Sequence, residues 1–367
     1  MRVGHHTILL ILALAAVTGG CGMTTSPGGA TTMMVGGREG LRAPDFTGGV
    51  AWFNSKPLSI KDLRGKVVIV DFWEFTCVNC IRTLPYLESW HEKYADKGLV
   101  IVGVHTPEFS FAADSKAVGQ AVQRFGLKYP VVADSDRAIW TAYANSFWPR
   151  KFLVDKDGVI RYDHIGEGGY QETEHQIQEL LKQINPALTF PAMTELVRDT
   201  DKPGAVCYPM TPELYCGYTR GDLGNAEGFF QEKSHRYQDP GKKQEGLIYL
   251  HGPWKAGRES TAYDGDPGDG YIGITFRGAD VNAVWKPAGD APVEVEALLD
   301  GKPVPPGRRG EDLVERGGRT FFTVDVGRMY RIIKGAYGAG ELRLLPQQRG
   351  VAIYAYTFGT ACVTPPK

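Results

Sequence analysis

The chain has 367 residues, enough for two or three domains of ordinary size, each with its own buried core. Hydrophobic residues make up 43% and charged residues 23%, and the formal net charge is -1. That balance fits soluble globular protein and excludes an electrostatic case for nucleic acid or a polybasic membrane contact, while 46 glycines and 23 prolines imply many turns and a β-rich portion.

Residues 1–21 read as a signal peptide. Arg2 precedes an apolar run at 8–17 that is too short to span a bilayer and is followed by small residues. Val17-Thr18-Gly19-Gly20-Cys21 resembles a bacterial lipoprotein processing site, although Thr18 stands where Leu or Val is usual. Cys21 is therefore the expected lipid attachment point, with simple cleavage to a soluble exported chain as the alternative. Either outcome puts the mature chain outside the cytosol. Residues 22–40 form the expected flexible linker.

Residues 41–185 alternate apolar runs with helical patterns, as an α/β domain does. The run Val67-Val68-Ile69-Val70 predicts a central strand buried on both faces. Leu84, Leu87, Trp90 and Tyr94 then recur at helical spacing. A second strand is predicted at 99–104, a helix at 116–125 and a third strand at 129–133. Strands at 151–154 and 159–162 flank the turn Asp157-Gly158, and a helix at 172–184 closes the unit. Five prolines, at 186, 191, 203, 209 and 212, mark residues 186–212 as a linker. Beyond it, residues 213–363 carry short strand-like runs at 246–251, 271–276, 281–285, 293–299, 321–326, 329–334, 341–345 and 351–358, and their regular spacing predicts an all-β sandwich of jelly-roll type.

The chemistry concentrates in Val67 to Pro85, reading VVIVDFWEFTCVNCIRTLP. A buried strand delivers the chain to Cys77, and Cys80 follows within the first turn of a helix. Unpaired N–H groups and the positive dipole end at a helix N-terminus stabilise a thiolate, the form that attacks disulfides. Motifs of this type bring a cysteine from about 8.5 to roughly 7 or below. The three-residue offset lets the second sulfur resolve the mixed disulfide, so Cys77 is the expected nucleophile and Cys80 the resolving thiol. Glu74 would raise the Cys77 pKa if it lies near. A zinc site would need a second ligand pair, which the sequence lacks, and covalent haem would need His where Ile81 stands. No metal or organic cofactor is expected.

These residues resemble the thioredoxin superfamily. Asp71 stands six residues before Cys77, Trp73 falls at the family's tryptophan position, and Pro85 follows Cys80 by five. Trp148-Pro149 precedes the apolar strand Phe152-Leu153-Val154. The resemblance implies a thioredoxin-like fold with a central mixed sheet flanked by helices. It implies proton transfer to Cys80 through Asp71, a cis-Pro149 beside the disulfide, and partner docking by Trp148, Pro149 and Trp73. Val78-Asn79 replaces Gly-Pro between the cysteines, and the stretch from Cys80 to Pro149 is longer than in a minimal thioredoxin. That insertion, with Ala43-Pro44-Asp45-Phe46 and His105-Thr106-Pro107-Glu108-Phe109, resembles the TlpA-like or redoxin branch, most of all the exported part of DipZ-type proteins. In those, a CcdA-like membrane carrier is fused to this domain. The resemblance implies a reductase acting on disulfide-containing exported proteins, fed by a CcdA/DsbD-like membrane donor. A disulfide-donating oxidase or isomerase is the first alternative. A peroxidase would need a proline upstream of Thr76-Cys77, which is absent.

The remaining cysteines are Cys207, Cys216 and Cys362. If runs at 213–218 and 351–358 pair antiparallel as first and last strands, Cys207 and Cys362 meet at one end, the preferred structural disulfide. Cys207–Cys216 is the competing pair. His91, His105 and His164 are read as surface or hydrogen-bonded residues. Trp254, Tyr263 and Trp285 are read first as packing residues. Their second reading, as stacking platforms for a glycan ligand, would make the chain a binding protein on a thioredoxin scaffold.

Overall fold

The computed structural model describes residues 37–363. The signal peptide, Cys21 and most of the 22–40 linker lie outside the described residues. Among the described residues no helix is long and apolar enough to cross a membrane.

The first half is one mixed sheet. Its strands are β1 (Ala51–Phe53), β2 (Val67–Trp73), β3 (Leu99–His105), β4 (Val131–Ala133), β5 (Arg150–Val154) and β6 (Ile160–Ile165), in the order β1-β4-β3-β2-β5-β6. Strands β2, β3 and β4 run parallel, whereas β5 pairs antiparallel with β2. Every residue of β2 is buried because both faces are covered. Val67, Ile69 and Trp73 face a core shared with α1 (Val78–Tyr94), α2 (Ser115–Phe125) and α4 (Tyr170–Ile184). Val68, Val70 and Phe72 face the other way, toward Phe46, Leu63 and the short helix α3 (Ala138–Ala142). Helix α1 carries Pro85 inside it and presents Leu84, Leu87, Trp90 and Tyr94 to the sheet, the stripe its spacing predicts.

Residues 186–212 are not a free linker. Leu188, Phe190 and Leu196 pack onto the core around α1 and α4. Lys93 Nζ donates to the Thr194 hydroxyl at 2.8 Å, and the Val197 N–H donates to the Tyr86 hydroxyl at 2.8 Å. The segment is a strap along α1. It ends in β7 (Val206–Cys207) and leads to β8 (Leu214–Tyr215).

The second half is all antiparallel: β9 (Ser234–Tyr237), β10 (Ile248–Ala256), β11 (Thr261–Tyr263), β12 (Tyr271–Gly278), β13 (Asp280–Pro287), β14 (Val293–Leu299), β15 (Lys302–Pro303), β16 (Val314–Arg316), β17 (Arg319–Val324), β18 (Arg328–Ile333), β19 (Gly338–Pro346), β20 (Val351–Gly359) and β21 (Cys362–Val363). One layer runs β12-β19-β14-β17 and the other β11-β20-β13-β18, the strand order of a jelly roll. Strand β10 serves both layers, pairing β12 before Gly252 and β11 after it. A Cβ at Gly252 would meet the Asp269 carbonyl oxygen at 2.1 Å, so only glycine fits this crossing. The layers share one core, with Trp285 of β13 against Phe322 of β17 and Phe276 of β12 against Phe358 of β20. Strand β8 pairs with β20, and β21 with β7, which brings Cys207 opposite Cys362, where the two are bonded. Cys216 is buried and reduced.

Trp254, Tyr263 and Trp285 all lie in this core, at most 2% exposed. They are unavailable to stack on a sugar, so the glycan reading loses its platforms.

Candidate active site

Strand β2 ends at Trp73, and a tight turn through Glu74, Phe75 and Thr76 hands the chain to α1. The buried Glu74 carboxylate accepts hydrogen bonds from both the N–H (2.7 Å) and the hydroxyl of Thr76, which fixes that turn. Cys77 is the N-cap of α1, and its Sγ accepts the Cys80 N–H at 3.2 Å. Both thiols are reduced. Cys77 is partly exposed; Cys80 is fully buried.

Beneath Cys80 lies a buried ion pair. Asp71 and Lys151 face each other across β2 and β5, with Lys151 Nζ 3.9 Å from Asp71 Oδ1. Neither group has a hydrogen-bond partner, and both are sealed from solvent. Burial pushes Asp71 up to about 6, with Lys151 opposing the shift, and pushes Lys151 down. Burial also holds the Cys80 thiol well above its ordinary value, and the nearby Asp71 charge adds to this. The Trp148–Pro149 peptide is cis, Pro149 is buried, and the Trp148 indole donates to the Thr106 carbonyl at 3.0 Å. Trp73 is fully buried beneath the turn, edge-on to His105, and cannot touch a partner, which removes it from the docking residues.

The Cys77 pKa differs from the sequence reading. Burial pushes this thiol up rather than down, and the Glu74 and Glu108 charges add to the push against the hydrogen bonds from Cys80. A helix N-terminus favours a thiolate, but here it sits under a second domain. Cys77 opens into a cleft of about 340 Å³ whose far wall is Met210, Glu213, Tyr215, Arg220 and Phe358 from the β domain and its lead-in. Arg220 donates to Glu108 Oε1 at 2.8 Å and lies 3.5 Å over the Tyr215 ring. Trp148 lines the near wall.

Sequence reasoning missed Lys151, Glu108, Glu213, Tyr215 and Arg220. Lys151 had a signal, a charge inside an otherwise apolar strand two residues after Pro149. The others meet only because two domains dock. His105 is buried, stacked on Phe75, with its Nε2 3.7 Å from Glu74. His91 packs edge-on to Tyr129, and His164 lies opposite Lys151 on β6.

A reachable sulfur with a second, sealed sulfur one helical turn behind it is equipped to form and resolve mixed disulfides, on a thioredoxin fold. Residues 38–181 match the Redoxin family, and residues 211–359 match the family described as thioredoxin-like C-terminal domain. The chain is 35% identical over 147 residues to the thiol-disulfide oxidoreductase ResA of Bacillus anthracis, covering 40% of this chain and 79% of ResA. It is 30% identical over 320 residues to protein DipZ of Mycobacterium tuberculosis, covering 86% of this chain but only 43% of DipZ. The thioredoxin domain of a thiol-disulfide oxidoreductase from Bacteroides vulgatus superposes with a TM-score of 0.33 at 25% identity, over 40% of this chain and 99% of that one. The chain belongs to the thioredoxin superfamily, in its redoxin (TlpA-like) branch, with a C-terminal β domain, and it spans less than half the length of DipZ.

Proposed function

We propose that this chain is a thiol–disulfide oxidoreductase that works outside the cytosol as a reductase of exported-protein disulfides, tethered through a lipid on Cys21 and recharged by a CcdA/DsbD-like membrane donor. Cys77 attacks the substrate disulfide, Cys80 resolves the mixed disulfide, and Asp71 accepts the Cys80 proton, while Trp148 and Pro149 dock the partner. The observation that carries the mechanism is the asymmetry of the pair. Cys77 opens into a cleft, whereas Cys80 is sealed above Asp71 and Lys151.

The direction rests on the Cys77 thiol. Strong oxidants of this fold hold a low-pKa nucleophile, because a stabilised thiolate favours the reduced enzyme. A thiol pushed upward by burial, Glu74 and Glu108 leans the other way. A reduction potential near about -270 mV is expected, and one near about -120 mV would make the chain an oxidant instead. For the residue roles, a Cys80→Ser variant should stall on covalently bound partners when mixed with oxidised cell-envelope proteins, and Cys77→Ser should capture none. Exchange activity surviving in Cys77→Ser would end this reading.

A further inference from the structure

The Tyr215 hydroxyl sits between two carboxyl groups, 3.0 Å from Glu108 Oε1 and 2.8 Å from Glu213 Oε2. A phenol has one hydrogen to give. Shared between two carboxylates, that single hydrogen leaves both under-paired, and two carboxyl groups held this close favour a proton on one of them. Arg220 decides which. It donates to the same Glu108 oxygen and so favours Glu108 as the carboxylate, which leaves Glu213 as the group that more readily takes the proton.

Glu213 and Cys77 line the same cleft. We propose that Glu213, supplied from the β-domain side, is the acid that protonates the departing sulfur of the substrate. The inference rests on Cys77 as nucleophile. The Cys77 thiolate forms a bond to one substrate sulfur while the substrate S–S bond breaks and its electron pair leaves on the other sulfur. The Glu213 proton moves to that sulfur, giving a free thiol and a Glu213 carboxylate. The proton that Cys77 lost on ionising restores Glu213 by way of solvent, so the step takes up no net proton.

The electrostatics run the same way. Confinement between the domains, with the like charges of Glu108 and Glu74, pushes Glu213 up to about 7. The side chain remains exposed to water in the cleft, which moderates that push, so the crowding of two carboxyl groups on one phenol carries more weight. The charged and titratable groups around Glu213 are Glu74, Cys77 and Glu108 from the thioredoxin-like side, and Tyr215, Arg220 and Asp222 from the β side. An acid with a pKa near the working pH and a route to the reacting atoms is suited to general acid catalysis.

The test uses two neutral disulfides and the full chain in its dithiol form. Hydroxyethyl disulfide expels a basic alkyl thiolate that needs a proton, whereas 2,2'-dipyridyl disulfide expels a stable leaving group that does not. Glu213→Gln should slow single-turnover reduction of hydroxyethyl disulfide about tenfold or more and change the dipyridyl rate by less than about twofold. The wild-type profile for hydroxyethyl disulfide should fall on its alkaline side, and that limb should vanish in Glu213→Gln and persist in Glu213→Asp. Equal slowing with both disulfides, or with neither, would overturn the assignment. A Cys77→Ser control separates the two readings: if it stays active, the nucleophile is wrong, and if it is dead while Glu213→Gln matches wild type, only the acid is wrong.

Discussion

Glu108 stands at the junction of the two charge systems in this site. It raises the Cys77 thiol from one side and is held by Arg220 and Tyr215 from the other. Glu108→Gln deletes a negative charge beside Cys77 and leaves the Arg220 cation uncompensated, and both changes favour the thiolate. The iodoacetamide alkylation rate of Cys77 at pH 7 should therefore rise about threefold or more, with the whole profile displaced to lower pH. An unmoved profile would mean that burial alone sets this thiol. The Asp71–Lys151 pair obeys the opposite sign. Lys151 opposes the burial that pushes Asp71 up to about 6, so Lys151→Met should drive Asp71 higher still. The pH dependence of the Cys80 resolving step should then shift upward by about one unit, while Cys77 alkylation changes less. Cys77, Cys80, Asp71 and Pro149 were legible in the sequence because one strand, one helix end and one loop fix their spacing. Lys151 was harder to read, because its partner lies on a strand far away in the chain.

The insertion between β3 and α2 and the strap of 186–212 convert two domains into one site. The insertion carries Glu108 to Cys77, and its Phe109 and Phe111 pack against Tyr354 of β20 at 5.2 and 4.7 Å. The strap is pinned to α1 and ends at Cys207, whose bond to Cys362 closes 155 residues of chain. Cross-linking so long a loop restricts the unfolded chain, so a Cys207→Ser/Cys362→Ser variant should lose about 2–4 kcal/mol in denaturant unfolding. Reductant should lower the stability of the wild type but not of this variant. The strands that periodicity revealed are the long ones with a clear apolar rhythm, such as β14 at 293–299. Ser234–Tyr237, Thr261–Tyr263 and Val314–Arg316 escaped because three or four residues carry too little pattern. The full length of β10 escaped because Gly252-Pro253 interrupts its run, at the point where the strand passes between layers. The strap read as a linker because its prolines exclude regular structure, yet they leave Leu188, Phe190 and Leu196 free to pack.

At the scale of the whole molecule, the cleft exists only while the domains stay docked. A small apolar patch holds them: Phe109 and Phe111 with Val78 and Ile81 on one side, Val284, Met329, Tyr354 and Ala355 on the other. Polar links rim it, among them the Ser110 hydroxyl donating to Glu259 at 2.6 Å and Arg82 donating to the Phe358 carbonyl at 3.5 Å. Val78 and Ile81 belong to the first turns of the helix that Cys77 caps, so the patch that joins the domains is continuous with the redox centre. Removing the Phe109 ring, which is 3% exposed, should cost about 3 kcal/mol, nearly all of it from the interface rather than from either core. Phe109→Ser should therefore replace one cooperative thermal transition with two, as each domain keeps its own core and loses the other's support. Cys77 alkylation should accelerate in the same variant, because separation both uncovers the thiol and takes Glu108 off its partners. A single transition at the wild-type temperature with Cys77 reactivity unchanged would mean that the β domain is not what confines the nucleophile. Acceleration with two transitions would instead trace both the raised thiol and the acid at Glu213 to the docking of the jelly roll.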